Sequence, residues 1–359
     1  MTTTLQLRDN FFGEAERLLA DSHGMTAHLF RYDSGIAALR LGNRRGHLVV
    51  LPFVGQMIWD AVFDGVDLTM TNMFSTPRPA DSIVGTYGCF AFHSGLLRNG
   101  CPGPKDSHAL HGEMPCAKMD SAGLEIGEDT EGPYMAVIGT YEYVMGFGDH
   151  YVARPRVVLR PDTALFDIGM SVENLSGADM DLMYMCHVNF AFCEGARFVQ
   201  PAPFTPDATV VRTDVPAHVP RNPDYDALLE SLATDPSVME VINEPHRYDP
   251  EQVFYIRCLK TGTDGKTASL MKRREGDGFY ITYDPVDFPK TVRWVLANSD
   301  QKVCAFALPA TAEPEGYTAE KAKGNVQHLK GGDVRHFSVR LGYLPPAEAD
   351  LAERAIKAF

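Results

Sequence analysis

The stretch Asp181-Leu-Met-Tyr-Met-Cys-His-Val-Asn-Phe-Ala-Phe192 says most about how this chain folds. Successive side chains of a β-strand point to opposite faces of its sheet, so alternation divides the stretch into two sets. One set is almost wholly apolar, and the other carries His187 and Asn189, which would then point the same way. A lone histidine in a strand is usually structural, but one with an asparagine two positions on is typical of a polar pocket floor. The stretch predicts a buried strand with a binding site on one face.

Short strand-like segments of the same kind fill most of the chain. Between Thr26 and Phe63 they are separated by turn sequences such as Asp33-Ser34-Gly35. The same pattern of short strands and turns is found again from about Leu124 to Leu344. Strands and helices do not alternate, so a parallel doubly wound sheet or a TIM barrel is disfavoured. The sequence therefore predicts a mainly β fold, a large antiparallel β-sandwich with a few short helices.

We interpret residues 1–359 as a single domain, since large all-β folds can exceed the roughly 250 to 300 residues at which single cores usually stop growing. Three segments favour helix. Residues 1–25 form a predicted N-terminal helical extension, residues 221–245 a helical insertion and residues 346–359 a C-terminal helix.

Composition limits the classes of partner. The formal net charge is −14, which repels polyphosphate and anionic lipid, so nucleic acid and membrane are not expected partners. The chain starts without a signal-like segment, and we expect a cytoplasmic protein. Its seven cysteines show no paired spacing, which indicates reduced thiols rather than a disulfide framework. A homo-oligomer is possible.

A second histidine patch, Leu110-His111-Gly112-Glu113, follows a long loop rich in Pro and Gly. Long irregular loops on a rigid sheet commonly carry function. His111 and Glu113 are therefore candidate catalytic residues together with His187. The candidate substrate-binding residues are His93, Arg98, Asn99, Asn189 and Trp294.

The two histidine patches resemble the histidine motifs of the aldose 1-epimerase (galactose mutarotase-like) superfamily, especially a bacterial branch with Leu-His-Gly and Tyr-His-x-Asn-Phe motifs. The segments Phe288–Trp294 and Cys304–Thr311 resemble its C-terminal run. The resemblance extends from about Thr26 to Leu344 and implies a large antiparallel β-supersandwich. It also implies a monosaccharide or sugar-derivative substrate, His187 as an acid that protonates the ring oxygen, and no cofactor.

One departure from the family leaves alternatives open. Where the family has a glutamate base, this chain has Leu308, so Glu113, Glu313 or Glu315 would have to replace it. A second hypothesis is a divalent-metal site that supports a sugar isomerase, epimerase or lyase, because histidine and carboxylate are common metal ligands. A third is a sugar-binding module without catalysis. The candidate metal ligands are His93, His111, Glu113 and His187.

Overall fold

The computed structural model describes residues 2–215 and 223–359. Antiparallel pairing accounts for all the ladders in these ranges. The strands are β1 Thr3–Leu7, β2 Arg17–Ser22, β3 Met25–Arg31, β4 Ala37–Gly42, β5 Gly46–Leu51, β6 Met57–Phe63, β7 Val66–Asp67, β8 Ala91–Leu96, β9 Ser121–Asp129, β10 Gly132–Val144, β11 His150–Leu159, β12 Leu165–Asn174, β13 Met180–Val188, β14 Arg197–Val199, β15 Thr209–Val211, β16 Gln252–Ile256, β17 Thr267–Lys272, β18 Gly278–Tyr283, β19 Lys290–Ala297, β20 Lys302–Ala310, β21 Gln327–Leu329 and β22 Val334–Leu344.

The strands of the described residues form two sheets. A nine-stranded sheet has the order β1-β9-β10-β11-β12-β22-β18-β17-β14. A thirteen-stranded sheet has the order β15-β16-β19-β20-β13-β8-β6-β5-β4-β3-β2, with β21 paired to β13 and β7 to β6. The predicted fold class, an antiparallel β-sandwich with few helices, is confirmed.

Aromatic rings join the two sheets. Phe63 of β6 stacks on Phe166 of β12 with ring centroids 5.9 Å apart, and Tyr184 of β13 contacts Phe337 of β22 at 4.9 Å. All four side chains are nearly inaccessible to solvent. Burying such rings contributes the largest apolar areas to a core, so these contacts hold the sheets face to face. Because Tyr184 points inward, its neighbours on β13 point away from the other sheet.

Helices are few in the described part of the chain. They are α1 Pro223–Thr234, α2 Tyr317–Lys323 and α3 Pro346–Lys357, with short 3-10 turns at Asp9–Phe11, Ile83–Gly85, Pro236–Met239 and Pro245–Tyr248. α1 lies in the segment predicted as a helical insertion, whose residues 221–222 fall outside the described residues, and α3 lies in the predicted C-terminal helix. Among the described residues, no helix is long and apolar enough to cross a membrane.

The predicted N-terminal helix is wrong. The described part of this segment holds β1, the 3-10 turn at Asp9–Phe11 and β2 instead, and β2 pairs with β3 in the second half of Phe11–Ala20, which was expected to be helical. An isolated helix of about ten residues is marginal in water. As the outermost strand of the sheet, β2 bonds its backbone groups to β3 instead of within a helix, and tertiary contact therefore decides the local structure.

Candidate functional site

A cleft of about 470 Å³ lies on the face of the thirteen-stranded sheet that is turned away from the nine-stranded sheet. His111 and His187 both line it, although the loop and the strand that carry them are far apart in sequence. Their rings are 4.8 Å apart between centroids and nearly perpendicular, at 80°. The structure thus brings the two predicted histidines into one site.

His187 is held on β13 by a residue of its own face. Its Nδ1 lies 2.9 Å from Oδ1 of Asn189, and the Asn189 amide donates to the carbonyl oxygen of Cys89 at 2.9 Å. That second bond fixes the amide so that its oxygen faces the ring, which makes Nδ1 the protonated nitrogen. Nε2 of His187 is then an acceptor, and the hydroxyl of Tyr87 lies 3.3 Å from it.

His111 is held in the same tautomer by different residues. The Ser94 hydroxyl donates to Oδ1 of Asn99, which leaves the hydroxyl oxygen as an acceptor for Nδ1 of His111 at 3.0 Å. Asn99 is fully buried behind the ring, so its role is to hold Ser94 rather than to contact a ligand. Gly112 allows this loop to pass close to Arg98, because a Cβ at Gly112 would lie 2.0 Å from the Arg98 carbonyl oxygen.

Burial keeps both imidazoles neutral. It lowers the pKa of His111 to about 3, with a smaller contribution from His108, and lowers the pKa of His187 well below 6.5. Burial also raises the pKa of Tyr87 well above 10. At neutral pH the cleft therefore presents two imidazole acceptors and one phenol donor. Phe92 stacks on the His187 ring at 4.4 Å and fixes its plane.

Trp294 and two residues missed by the sequence analysis complete the polar side of the cleft. The Trp294 indole lies 5.9 Å from the His187 ring and donates from Nε1 to Oε2 of Glu251 at 2.7 Å. The other carboxylate oxygen of Glu251 pairs with the buried Arg212. Tyr87, Arg212 and Glu251 lie on segments with no recognisable motif. Tyr87 is identified by its ring contacts with His187 and Trp294, Glu251 by its bond to Trp294, and Arg212 by its ion pair with Glu251.

Two predicted substrate-binding residues, His93 and Arg98, lie away from the cleft. His93 faces the core between the sheets, where its Nδ1 lies 2.8 Å from the Tyr184 hydroxyl, because alternation on β8 turns it away from Phe92 and Ser94. Arg98 stacks on Tyr317 at 3.7 Å outside the cleft. These positions contradict the predicted substrate contacts of His93 and Arg98.

Glu113 also lies outside the cleft. Its Oε1 accepts hydrogen bonds from the backbone amides of Leu96 and Leu97, at 2.8 Å and 2.7 Å, and from the Tyr151 hydroxyl at 2.8 Å. The carboxylate is therefore occupied in holding the end of β8. This geometry contradicts the prediction that Glu113 supplies the base beside the histidines.

The other predicted replacement bases do not reach the cleft either. Leu308 lines it, but Glu313 is buried in ion pairs with Arg257 and Lys323, and Glu315 bonds the Tyr255 hydroxyl. The Glu313 side chain is only 2 % accessible. The carboxylates that line the cleft are Asp249 and Glu251.

The predicted set of metal ligands is not assembled. His111 and His187 are together, but His93 faces the opposite side of the sheet and Glu113 is bound to backbone amides. Across residues 2–215 and 223–359 there is no group of three or more histidine, cysteine, aspartate or glutamate side chains arranged to hold a metal ion. The four-ligand hypothesis is wrong as a description of this site.

A sequence family described as "Domain of unknown function (DUF4432)" matches residues 33–343. The chain belongs to this family. No curated protein matches the chain. Among solved structures, this DUF4432 protein is similar to a "putative aldose 1-epimerase" from Klebsiella pneumoniae, with a TM-score of 0.82 and 15% identity over 100% of this chain and 96% of the other.

Two further structures are more distant relatives of the same fold. A galactose mutarotase-like protein from Clostridium acetobutylicum has a TM-score of 0.56 and 12% identity, over 90% of this chain and 99% of that one. A galactose mutarotase related enzyme from Lactobacillus acidophilus has a TM-score of 0.55 and 14% identity, over 86% of this chain and 98% of that one. The predicted mutarotase-like fold is confirmed, while the short motifs are not tested by these likenesses.

Proposed function

We propose that this DUF4432 protein is a carbohydrate-active enzyme that interconverts the anomers of a monosaccharide or sugar derivative, as an aldose 1-epimerase does. The observation that carries the proposal is the pair of neutral imidazoles, His111 and His187, whose Nδ1 atoms are both held by neighbouring side chains. Their Nε2 atoms are acceptors, and a substrate hydroxyl at His187 takes the place of the Tyr87 hydroxyl that lies 3.3 Å from its Nε2. The mutarotase-like fold supports a sugar as the substrate.

A neutral imidazole can accept a proton and then donate it, so one residue can carry out both proton transfers of the reaction. Ring opening removes the proton from the anomeric hydroxyl, adds a proton to the ring oxygen and breaks the bond between that oxygen and the anomeric carbon. His187 cannot donate from Nε2 at rest, so it first takes the hydroxyl proton and then, as imidazolium, delivers it to the ring oxygen. After rotation about the adjacent carbon bond the same steps in reverse close the ring on the other face.

The remaining groups of the cleft bind and orient the sugar. His111 accepts a hydroxyl at Nε2, Tyr87 donates one, and Trp294 offers an aromatic face to the ring carbons. Glu251 holds the indole and neutralises Arg212. Asn189 and Ser94 are positioning residues, because they act on the substrate through the two imidazoles.

A sugar-binding protein without catalysis is the second candidate, and Leu308 favours it. This apolar side chain lines the cleft at the place where the family resemblance implies a carboxylate base. Binding through acceptors and an aromatic face needs no such base. The two candidates therefore differ in turnover and agree in ligand class.

The decisive experiment is two-dimensional exchange NMR of the anomeric protons of D-glucose, D-galactose and D-mannose with the purified protein. The enzyme proposal predicts faster anomer exchange and its loss by roughly 10²- to 10⁴-fold in His187→Gln, the range of general acid-base catalysis. His93→Gln is the matched control, since that imidazole faces the core. Saturable sugar binding without exchange would instead favour the binding protein.

A further inference from the structure

One wall of the cleft is apolar over the length of β19. Val292, Trp294 and Leu296 line it from this strand, with Leu308 opposite Val292 and Val253 opposite Trp294 in the strand register. A bulge between Val292 and Trp294 adjusts the alternation. The wall, which we call the β19 strip, meets the His187 ring at Trp294 and continues to Leu296.

Large apolar side chains also lie at the mouth of the cleft, which the exposed Asp249 lines too. Met73 and Val84 line it from the segment between β7 and β8, and they are 63% and 59% exposed. Exposed large apolar side chains at the edge of a pocket mark a binding surface more often than isolated ones do. Leu296 and the Trp294 ring belong to one apolar cluster, so the β19 strip joins the histidine site to the rest of the cleft.

A bare monosaccharide does not match this surface. Each buried hydroxyl that lacks a partner costs on the order of a 5- to 100-fold loss in affinity. Asn298, at the far end of the strip, already uses its side-chain oxygen to accept from the amides of Asp300 and Gln301. The volume of about 470 Å³ is within the range of pockets that bury drug-sized ligands.

We infer that the substrate is a reducing sugar with an apolar alkyl, acyl or aryl substituent on a carbon other than the anomeric one. Its ring lies at His111, His187 and Trp294, and the substituent lies along the β19 strip toward Met73. This inference rests on the proposed function for the placing of the ring. The anomeric carbon stays free, because ring opening requires an unsubstituted hydroxyl there.

The test compares D-glucose, 6-O-acetyl-D-glucose and 6-O-hexanoyl-D-glucose, and the same series of D-galactose and D-mannose, by titration calorimetry. Each methylene fully buried on the strip raises affinity about four-fold, so the hexanoyl esters should bind at least ten-fold more tightly than the acetyl esters. The double variant Met73→Gln, Val84→Thr changes exposed side chains at the mouth and should reduce that gain while the acetyl esters bind as before.

Equal affinities within every series, or no binding by any ester, would overturn the inference. The experiments distinguish failure of this inference from failure of the proposed function. Tight hexanoyl binding without anomer exchange would retain the substrate class and reject the epimerase. Anomer exchange of the unsubstituted sugars, with no preference for the hexanoyl esters, would retain the epimerase and reject the substituent.

Discussion

The Nδ1 atom of His187 lies 2.9 Å from the amide oxygen of Asn189, two residues further along the chain. Asn189 is fully buried, and its amide nitrogen is bound to the Cys89 carbonyl, so the amide cannot turn without losing a bond. This pair fixes the tautomer on which the proposed chemistry depends, since the lone pair of Nε2 then faces the cleft.

Asn189→Asp should shift the pH dependence of anomerisation. A carboxylate beside Nδ1 favours the imidazolium and raises the pKa of His187 from its lowered value. The proton-accepting form is then lost at a higher pH than in the wild type, so as pH is lowered kcat/KM of the variant falls before that of the wild type does. Superimposable profiles would mean that Asn189 does not act through His187.

Buried His93 should make the free energy of unfolding depend on pH in the acid range. Burial lowers its pKa to about 3, whereas the unfolded chain titrates at 6.5. The unfolded state therefore binds one proton more between pH 6.5 and 3, and the folding free energy contributed by neutral His93 is lost as pH falls through this window. In urea titrations between pH 6 and 4, His93→Gln should reduce the slope of unfolding free energy against pH by about 1.4 kcal/mol per pH unit.

Tyr184→Phe is the control for that slope. It removes the hydroxyl that bonds His93 and keeps the buried imidazole, so it lowers stability at every pH but should leave the slope near that of the wild type. If His93→Gln and the wild type have parallel curves, His93 is already protonated in the folded protein or titrates normally.

Glu113 should matter for stability and little for catalysis. Glu113→Ala leaves the Leu96 and Leu97 amides without their acceptor and should lower the free energy of unfolding by about 1–3 kcal/mol. Glu113→Gln keeps an amide oxygen at that place and should retain most of this stability. Both variants should keep anomerisation rates within a few-fold of wild type. A rate loss in Glu113→Gln as large as that in His187→Gln would show that the Glu113 carboxylate takes part in catalysis.

Trp294 offers a direct report of binding. The sequence has two tryptophans, and Trp59 is buried in an apolar cluster and does not line the cleft. In Trp59→Phe all indole fluorescence comes from Trp294, whose Nε1 bonds Glu251 in the cleft. A bound sugar should shift its emission saturably, with a midpoint that matches calorimetry. Unchanged emission at saturating sugar would place the ligand away from Trp294.

Much of the fold follows from local sequence pattern. The alternation in Asp181–Phe192 placed His187 and Asn189 on one face, and the structure has them there in direct contact. The helix expected in Phe11–Ala20 is absent because local spacing is not enough there. The apolar spacing fits a helix, but the segment pairs with the distant strand β3, and local spacing does not reveal that partner.

The candidate site was predicted less completely. Sequence order placed His93, His111 and Glu113 close together along the chain, yet one faces the core, one the cleft and one the end of β8. Neighbours in sequence alternate across a strand or separate at a loop, so proximity along the chain is a poor guide to a shared site.

What the sequence by itself determined is the antiparallel architecture, the absence of a glutamate at Leu308 and the two histidines of the cleft. The architecture and the face of His187 depend on residue type and on a period of two, whereas the choice of His111 and the missing glutamate rest on the family resemblance. Only the tertiary structure decided which residues line the cleft with those histidines: Tyr87, Arg212, Glu251 and the apolar wall of β19. They come from distant strands and loops, and their meeting depends on how the thirteen-stranded sheet is ordered, a non-local property that no short pattern encodes.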